Sequence, residues 1–213
     1  MLAFLQSPLG NPEIYIAVQK LLGADRLRRL AIAEFAKVKP CERVLDIGCG
    51  PGYVLDYLPE VDFVGFDTSQ RYIEHAANKY GNRGSFYCDM FSEKRAGELG
   101  KFDVILLFGL LHHVDDVVAE NLLGLLAECS MPEVRLVTID PCFVPDQNFL
   151  QRAVARADRG KFVRTEAAYD LLGSTHFRSV EAKVFHNVCR IPSTERVACL
   201  TEPINVHQSV NGG

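Results

Sequence analysis

The sequence lacks the features that would place it in several large functional classes. It has no excess of basic residues: 23 Lys and Arg stand against 27 Asp and Glu, a formal charge of -4. A duplex-binding surface needs cations to neutralise phosphates, so nucleic acid is not an expected partner. Its seven cysteines form no CxxC pair and no short metal-type spacing, and their number is odd, which points to reduced thiols in a cytoplasmic protein. There is no run of the ~18 apolar residues that a membrane span needs, the longest near-continuous stretch being Val104 to Leu111. The first ten residues lack the basic start and apolar core of a secretion signal, so no membrane partner is expected. Repeats and low-complexity linkers are absent too.

What remains is ordinary globular composition, 48% hydrophobic and 23% charged over 213 residues, enough for one core without staples. Periodicity predicts a helical prelude from Val18 to Lys37, broken near Gly23 and stopped by Pro40. Strands are expected at Arg43 to Ile47, Asp62 to Phe66, Ser85 to Cys88, Phe102 to Phe108 and Val134 to Asp140. Helices are expected near Tyr53, at Ser69 to Lys79, weakly at Glu93 to Glu98, and at Asp115 to Cys129. Such alternation implies crossover units and a parallel sheet covered on both faces. Beyond Pro141 the order changes to two helices, Gln147 to Ala157 and Thr165 to Leu172, then strands at Arg178 to Phe185 and within Glu195 to Leu200, paired antiparallel as a hairpin. The organisation predicted is a helical cap over 1–40, a core domain over 41–202 with a helical insertion at 145–173, and a frayed tail over 203–213.

The chemistry-bearing stretch is VLDIGCGPG, Val44 to Gly52, where three glycines follow a strand and let the backbone turn and approach a ligand. A dinucleotide fingerprint wants G-x-G-x-x-G, whereas this loop reads G-x-G-x-G with Asp46 just ahead of it. A carboxylate there repels a pyrophosphate and suits an ammonium group. Asp67 ends the second strand, where a carboxylate can accept both hydroxyls of a ribose, and Asp89 ends the third, where one can accept from an adenine amino group.

Carried by these residues, the stretch from Arg43 to Asp140 resembles the class I S-adenosylmethionine-dependent methyltransferases, in particular their small-molecule members. The resemblance implies a Rossmann-like α/β fold: a doubly wound seven-stranded sheet, mostly parallel with an antiparallel C-terminal strand, in a three-layer sandwich. It implies S-adenosyl-L-methionine as cofactor. Asp46, Gly48, Cys49, Gly50 and Gly52 would hold its methionine part, Asp67 and Thr68 the ribose, Asp89 and Met90 the adenine, and Phe108, Gly109 and Leu110 the sulfonium region. Tyr15 and Gln19, one helical turn apart, could close over it, and Arg28 or Arg29 could reach its carboxylate.

On the acceptor side, His112, His113 and Asp140 are the candidates for proton handling, although proximity and orientation alone can drive such a displacement. Adjacent histidines point in different directions and no further ligands stand nearby, so transfer without a metal is expected. Arg152, Arg156 and Arg159 share a helical face and could form a lid recognising an anionic or polar acceptor, with Tyr169 and His186 as further contacts. The expected partner is a small-molecule methyl acceptor, and the expected state a monomer or homodimer. A non-catalytic cofactor-binding protein is the alternative, and a nicotinamide oxidoreductase fits the glycine spacing less well.

Overall fold

The computed structural model describes residues 11–158 and 160–204. The expectations for the first ten residues, for Arg159 and for the tail beyond 204 lie outside the described residues. The chain opens with α1 (Pro12–Leu22), whose start is fixed by Asn11, its side chain accepting from the N–H groups of Glu13 and Ile14, and by proline at the first helical position. Gly23, at φ 80°, ends it in the left-handed conformation that glycine adopts without penalty. A second helix, α2 (Ala24–Leu30), runs on as a π-helical segment, Ala31–Ala36.

The core alternates β1 (Arg43–Ile47), β2 (Asp62–Asp67), α3 (Gln70–Tyr80), β3 (Gly84–Cys88), α4 (Glu93–Leu99), β4 (Phe102–Phe108), α5 (Asp116–Glu128) and β5 (Ser130–Phe143). It continues with α6 (Phe149–Ala157), the two-residue β6 (Arg164–Thr165), α7 (Glu166–Ser174), β7 (Phe177–His186) and β8 (Thr194–Pro203). The expected α-helix near Tyr53 is instead a single 3-10 turn, Tyr53–Tyr57, and Pro59 stands two residues past its end.

Strand order is β3-β2-β1-β4-β5-β8-β7, with β6 pairing to β5 off this path. All pairs from β3 to β5 are parallel, and β8 is antiparallel to both of its neighbours. The order reverses between β1 and β4, so the loops after these two strands diverge and leave a crevice at their carboxyl ends. Side chains alternate across the sheet into two apolar layers. Leu45, Ile105, Leu107 and Leu136 face α5 and α7, while Val44, Val104, Leu106 and Val137 face α2 and the π-helical segment. No described helix is long and apolar enough to cross a membrane.

Candidate functional site

Glycine dominates the β1 end of the crevice because the chain must turn there without side chains in the way. Gly48, Gly50 and Gly52 have φ of 77°, 55° and 76°, values that other residues rarely adopt. The three differ in what surrounds them. A Cβ on Gly50 would meet only the Tyr15 ring, at 4.0 Å, and one on Gly48 would meet Leu110 at 3.4 Å. A Cβ on Gly52 would lie 3.0 Å from Ala76 and 3.2 Å from Phe86. Gly52 is therefore bare so that α3 and β3 can pack against it, whereas Gly50 is bare toward the crevice.

Two carboxylates frame this loop. Asp67 accepts from the Gly50 N–H at 2.9 Å and the Ser69 N–H at 2.8 Å, one bond on each oxygen. Burial raises its pKa, and the Ser69, Gly50 and Thr68 N–H groups work against that rise. Each oxygen keeps a lone pair for a further donor, the geometry a vicinal diol requires. Asp46 is only 3% exposed, and burial pushes its carboxyl up to about 7, with Arg28 pulling down and Asp67 pushing further up. Two carboxylates and one guanidinium thus share the floor.

The helical cap closes over them. Tyr15 packs on Tyr72 at 5.3 Å and meets Tyr53 edge-on at 6.5 Å. Gln19 accepts from Arg28 at 3.4 Å, and the Arg28 guanidinium lies 4.7 Å over the Tyr53 ring. Arg29 points elsewhere, over Tyr57. Further along the edge, Thr68, Asp89 and Met90 are exposed at the ends of β2 and β3. Asp89 accepts from the Met90 N–H and pairs with Arg95 at 3.4 Å, so this carboxylate is not waiting unpaired. Cys49 is buried with its thiol against the Gly50 carbonyl and faces the protein, not the crevice.

At the end of β4 the half-buried Phe108 is followed by Gly109, at φ 75°, whose N–H bonds to the Ile139 carbonyl; Leu110 then reaches the glycine loop. The chain tightens into a 3-10 turn, Leu111–His113, that buries His112 and leaves His113 exposed. His112 Nδ1 lies 2.7 Å from Asp140 Oδ1, which also accepts the His112 backbone N–H at 3.1 Å. Because this carboxylate accepts a hydrogen bond from Nδ1–H, the neutral ring carries its lone pair on Nε2. Burial alone would lower the pKa of His112, but Asp140, Asp158 and Glu195 outweigh it and the net shift is upward. This is a histidine oriented by a buried carboxylate, the arrangement a proton acceptor needs.

Of the other described residues singled out in the sequence, Arg152, Arg156 and His186 sit apart from this pair, while Tyr169 lies beside Asp140. Arg152 and Arg156 line an outward-facing cavity of about 370 Å³ with Phe149, Ala153 and Ala157, and Arg152 donates to the Val144 carbonyl. Tyr169 is buried between the guanidinium groups of Arg164 and Arg196, with its hydroxyl donating to the Pro141 carbonyl. His186 is exposed, near Thr194 and Asp146. The structure instead brings Asp158, Glu195 and Arg164 to the neighbourhood of His112. Arg164, 7% exposed, ties the insertion to the 3-10 turn through the carbonyls of Leu111 and Val114 and through Asp116 at 2.7 Å. Its place among the basic residues Arg152, Arg156, Lys161 and Arg164 gave no sign that it would be buried. Among the described residues no group of three or more His, Cys, Asp or Glu is placed to hold a metal.

A protein family described as a methyltransferase domain matches residues 18–186. A malonyl-[acyl-carrier protein] O-methyltransferase of Legionella pneumophila is 33% identical over 102 residues, covering 45% of this chain and 34% of that protein. The match thus spans about a third of that relative's length. A SAM-dependent methyltransferase of Archaeoglobus fulgidus superposes with a TM-score of 0.66 at 16% identity, covering 88% of this chain and 99% of the other. The N-methyltransferase NodS of Bradyrhizobium japonicum superposes at 0.59 and 17% identity, covering 85% and 94%. These two show the same fold.

Proposed function

The chain belongs to the methyltransferase-domain family, and from that premise we propose that it transfers a methyl group from S-adenosylmethionine to a hydroxyl or amine of a small acceptor. The residues present suit that cofactor. Gly50 opens toward the crevice, Asp67 offers two oxygens with a lone pair to spare, and Asp46 with Arg28 offers opposite charges for an ammonium and a carboxylate. When bound, the cofactor supplies a methyl group activated by a sulfonium.

What the chain contributes beyond binding is position and a proton acceptor. Leu110 and the glycine loop touch, so the place where a sulfonium would sit lies between β1 and the turn that carries His112. The observation that carries the proposal is the 2.7 Å contact between His112 Nδ1, in the turn that follows β4, and Asp140 Oδ1 on the adjacent parallel strand β5. Asp140 fixes the ring and leaves Nε2 to take a proton from an attacking O–H or N–H. The Legionella relative is named for a malonyl acceptor, and a carboxylate needs no base. Here Asp140, Asp158 and Glu195 all act on His112, surroundings that repel an anion and favour a neutral or protonated acceptor. The Arg152 and Arg156 face does not counter this, since it opens outward.

Isothermal titration with S-adenosylmethionine and S-adenosylhomocysteine tests the cofactor, with NAD as control. Folded protein that takes up neither sulfur ligand overturns the proposal. A screen with labelled methyl donor then finds acceptors. His112→Ala is expected to keep S-adenosylhomocysteine affinity and lose about 100-fold or more in turnover. Wild-type turnover should rise with pH through the elevated pKa of His112, because the base works only when neutral. Full turnover in His112→Ala would transfer the weight to a carboxylate acceptor.

A further inference from the structure

Methylation of a hydroxyl or amine releases one proton per turnover. On the function proposed above, the acceptor's O–H or N–H bond breaks as its new bond to carbon forms, the S–C electron pair stays on sulfur, and the proton goes to His112 Nε2. That proton must leave before the next cycle. Nδ1 offers no exit, because it is committed to Asp140, which is 2% exposed. Nε2 lies 3.4 Å from Asp158 Oδ1, and the Asp158 side chain keeps 35% of its surface in solvent.

The backbone around Asp158 holds it in place. The Gly160 N–H donates to the same Asp158 oxygen at 2.6 Å, and the Phe162 N–H donates to the His112 carbonyl at 3.0 Å. Gly160 presses so closely on the imidazole that a Cβ there would lie 2.1 Å from His112 Cδ2. Only glycine fits.

We propose that Asp158 is a positioning residue that takes the proton from His112 Nε2 between turnovers and passes it to solvent. Acceptor and Asp158 compete for one nitrogen, so the Asp158 carboxylate gives way while the acceptor is bound and returns after product leaves. The carboxylate regains Nε2 when the imidazole is charged and the contact is attractive. Other titratable groups face the same ring: His113 lies tilted against it at 4.0 Å from the same turn, Asp140 approaches from β5 and Glu195 from β8. Arg164, from β6, acts on Asp140. Of these, Asp158 stands at contact distance from Nε2.

The test follows the His112 proton directly, by nitrogen NMR of histidine-labelled protein, with and without S-adenosylhomocysteine. The His112 signal is assigned by its loss in His112→Gln. Asp158→Asn should lower the His112 pKa and slow exchange of its Nε2 proton with water by about a hundred-fold, the lower end of what a positioned proton carrier supplies. Added formate should restore exchange in the variant while leaving the wild type unchanged, and Asp158→Glu should restore it without formate. Gly160→Ala, which displaces the segment, should slow exchange in the same way. A lowered pKa with unchanged exchange would make Asp158 an electrostatic neighbour only and overturn the proposal, as would exchange equal in all variants. Because exchange is also read without ligand, failure to bind S-adenosylhomocysteine would sink the proposed function separately.

Discussion

Replacing Asp46 by asparagine removes a charge that the fold holds at a cost. Burial lifts this carboxyl from the ordinary range near 4 to about 7. Between those values the unfolded chain is ionised while the folded one keeps the proton, so the folded state binds more protons and stability falls as pH rises. The loss begins near pH 4 and is complete above pH 7. At 1.36 kcal/mol per unit, the carboxylate costs the ligand-free fold about 4 kcal/mol at pH 8 and almost nothing at pH 4. The side chain is 3% exposed, so solvent screening reduces this little.

The stability gained by Asp46→Asn should therefore widen by about 4 kcal/mol between pH 4 and pH 8. Urea unfolding followed by circular dichroism measures it, the chain having no tryptophan to report by fluorescence. The difference between pH values matters more than the gain at any one pH, because it cancels the packing change of asparagine. S-adenosylhomocysteine supplies the complement: its ammonium should favour the ionised carboxylate, so wild-type affinity should climb from pH 6 to pH 8 and the variant's should be weak and flat. Stability curves for variant and wild type that run parallel from pH 4 to pH 8 would refute the reasoning.

Gly50 and Gly52 should respond differently to alanine. Gly50→Ala should cost about 1 kcal/mol of stability, for its left-handed φ, yet lose most S-adenosylhomocysteine affinity, while Gly52→Ala should cost about 2–4 kcal/mol through its contacts with Ala76 and Phe86; urea unfolding and titration of both variants decide it. Arg164→Ala removes the guanidinium that donates to the carbonyls of Leu111 and Val114 and pairs with Asp116, and should destabilise by about 3–5 kcal/mol, with Arg164→Lys recovering only part; a loss below about 1 kcal/mol by the same urea assay would show that the insertion is held by other contacts.

Where the chain's pattern was strong, the elements were legible. The apolar run VILLF marked β4, whose expected bounds match the observed Phe102–Phe108. The bounds of β5 were not so clear: Val134 to Asp140 was expected, closed by Pro141, yet the strand covers Ser130–Phe143. Pairing across to β8, Pro141 opposite Glu195, and to β6 beyond it sustains the extended backbone past the proline. The α-helix expected near Tyr53 failed because Tyr53–Tyr57 leaves room for one tight turn before Pro59. His112 and Asp140 were singled out as residues, but their partnership was invisible at a separation of 28 positions; it follows from β4 and β5 lying side by side, with Phe108 opposite Ile139. Asp158 was hidden for the opposite reason. It stands in a run of basic residues, and nothing local announces that the segment folds back over a histidine.

The position of β7 at the rim of the sheet bears on how the protein behaves at high concentration. A ten-residue strand with one side unpaired among the described residues is a template onto which another chain could add. Here that rim carries exposed Arg178, Glu181 and Lys183, interleaved with half-buried Val180 and Val184 that turn inward to the apolar layer. Any incoming strand would have to strip water from those charges before gaining a ladder of hydrogen bonds. The other rim, β3, is only five residues long. Both edges are thereby made poor nuclei for aggregation, and a Lys183→Val change would be expected to lower solubility without touching the crevice.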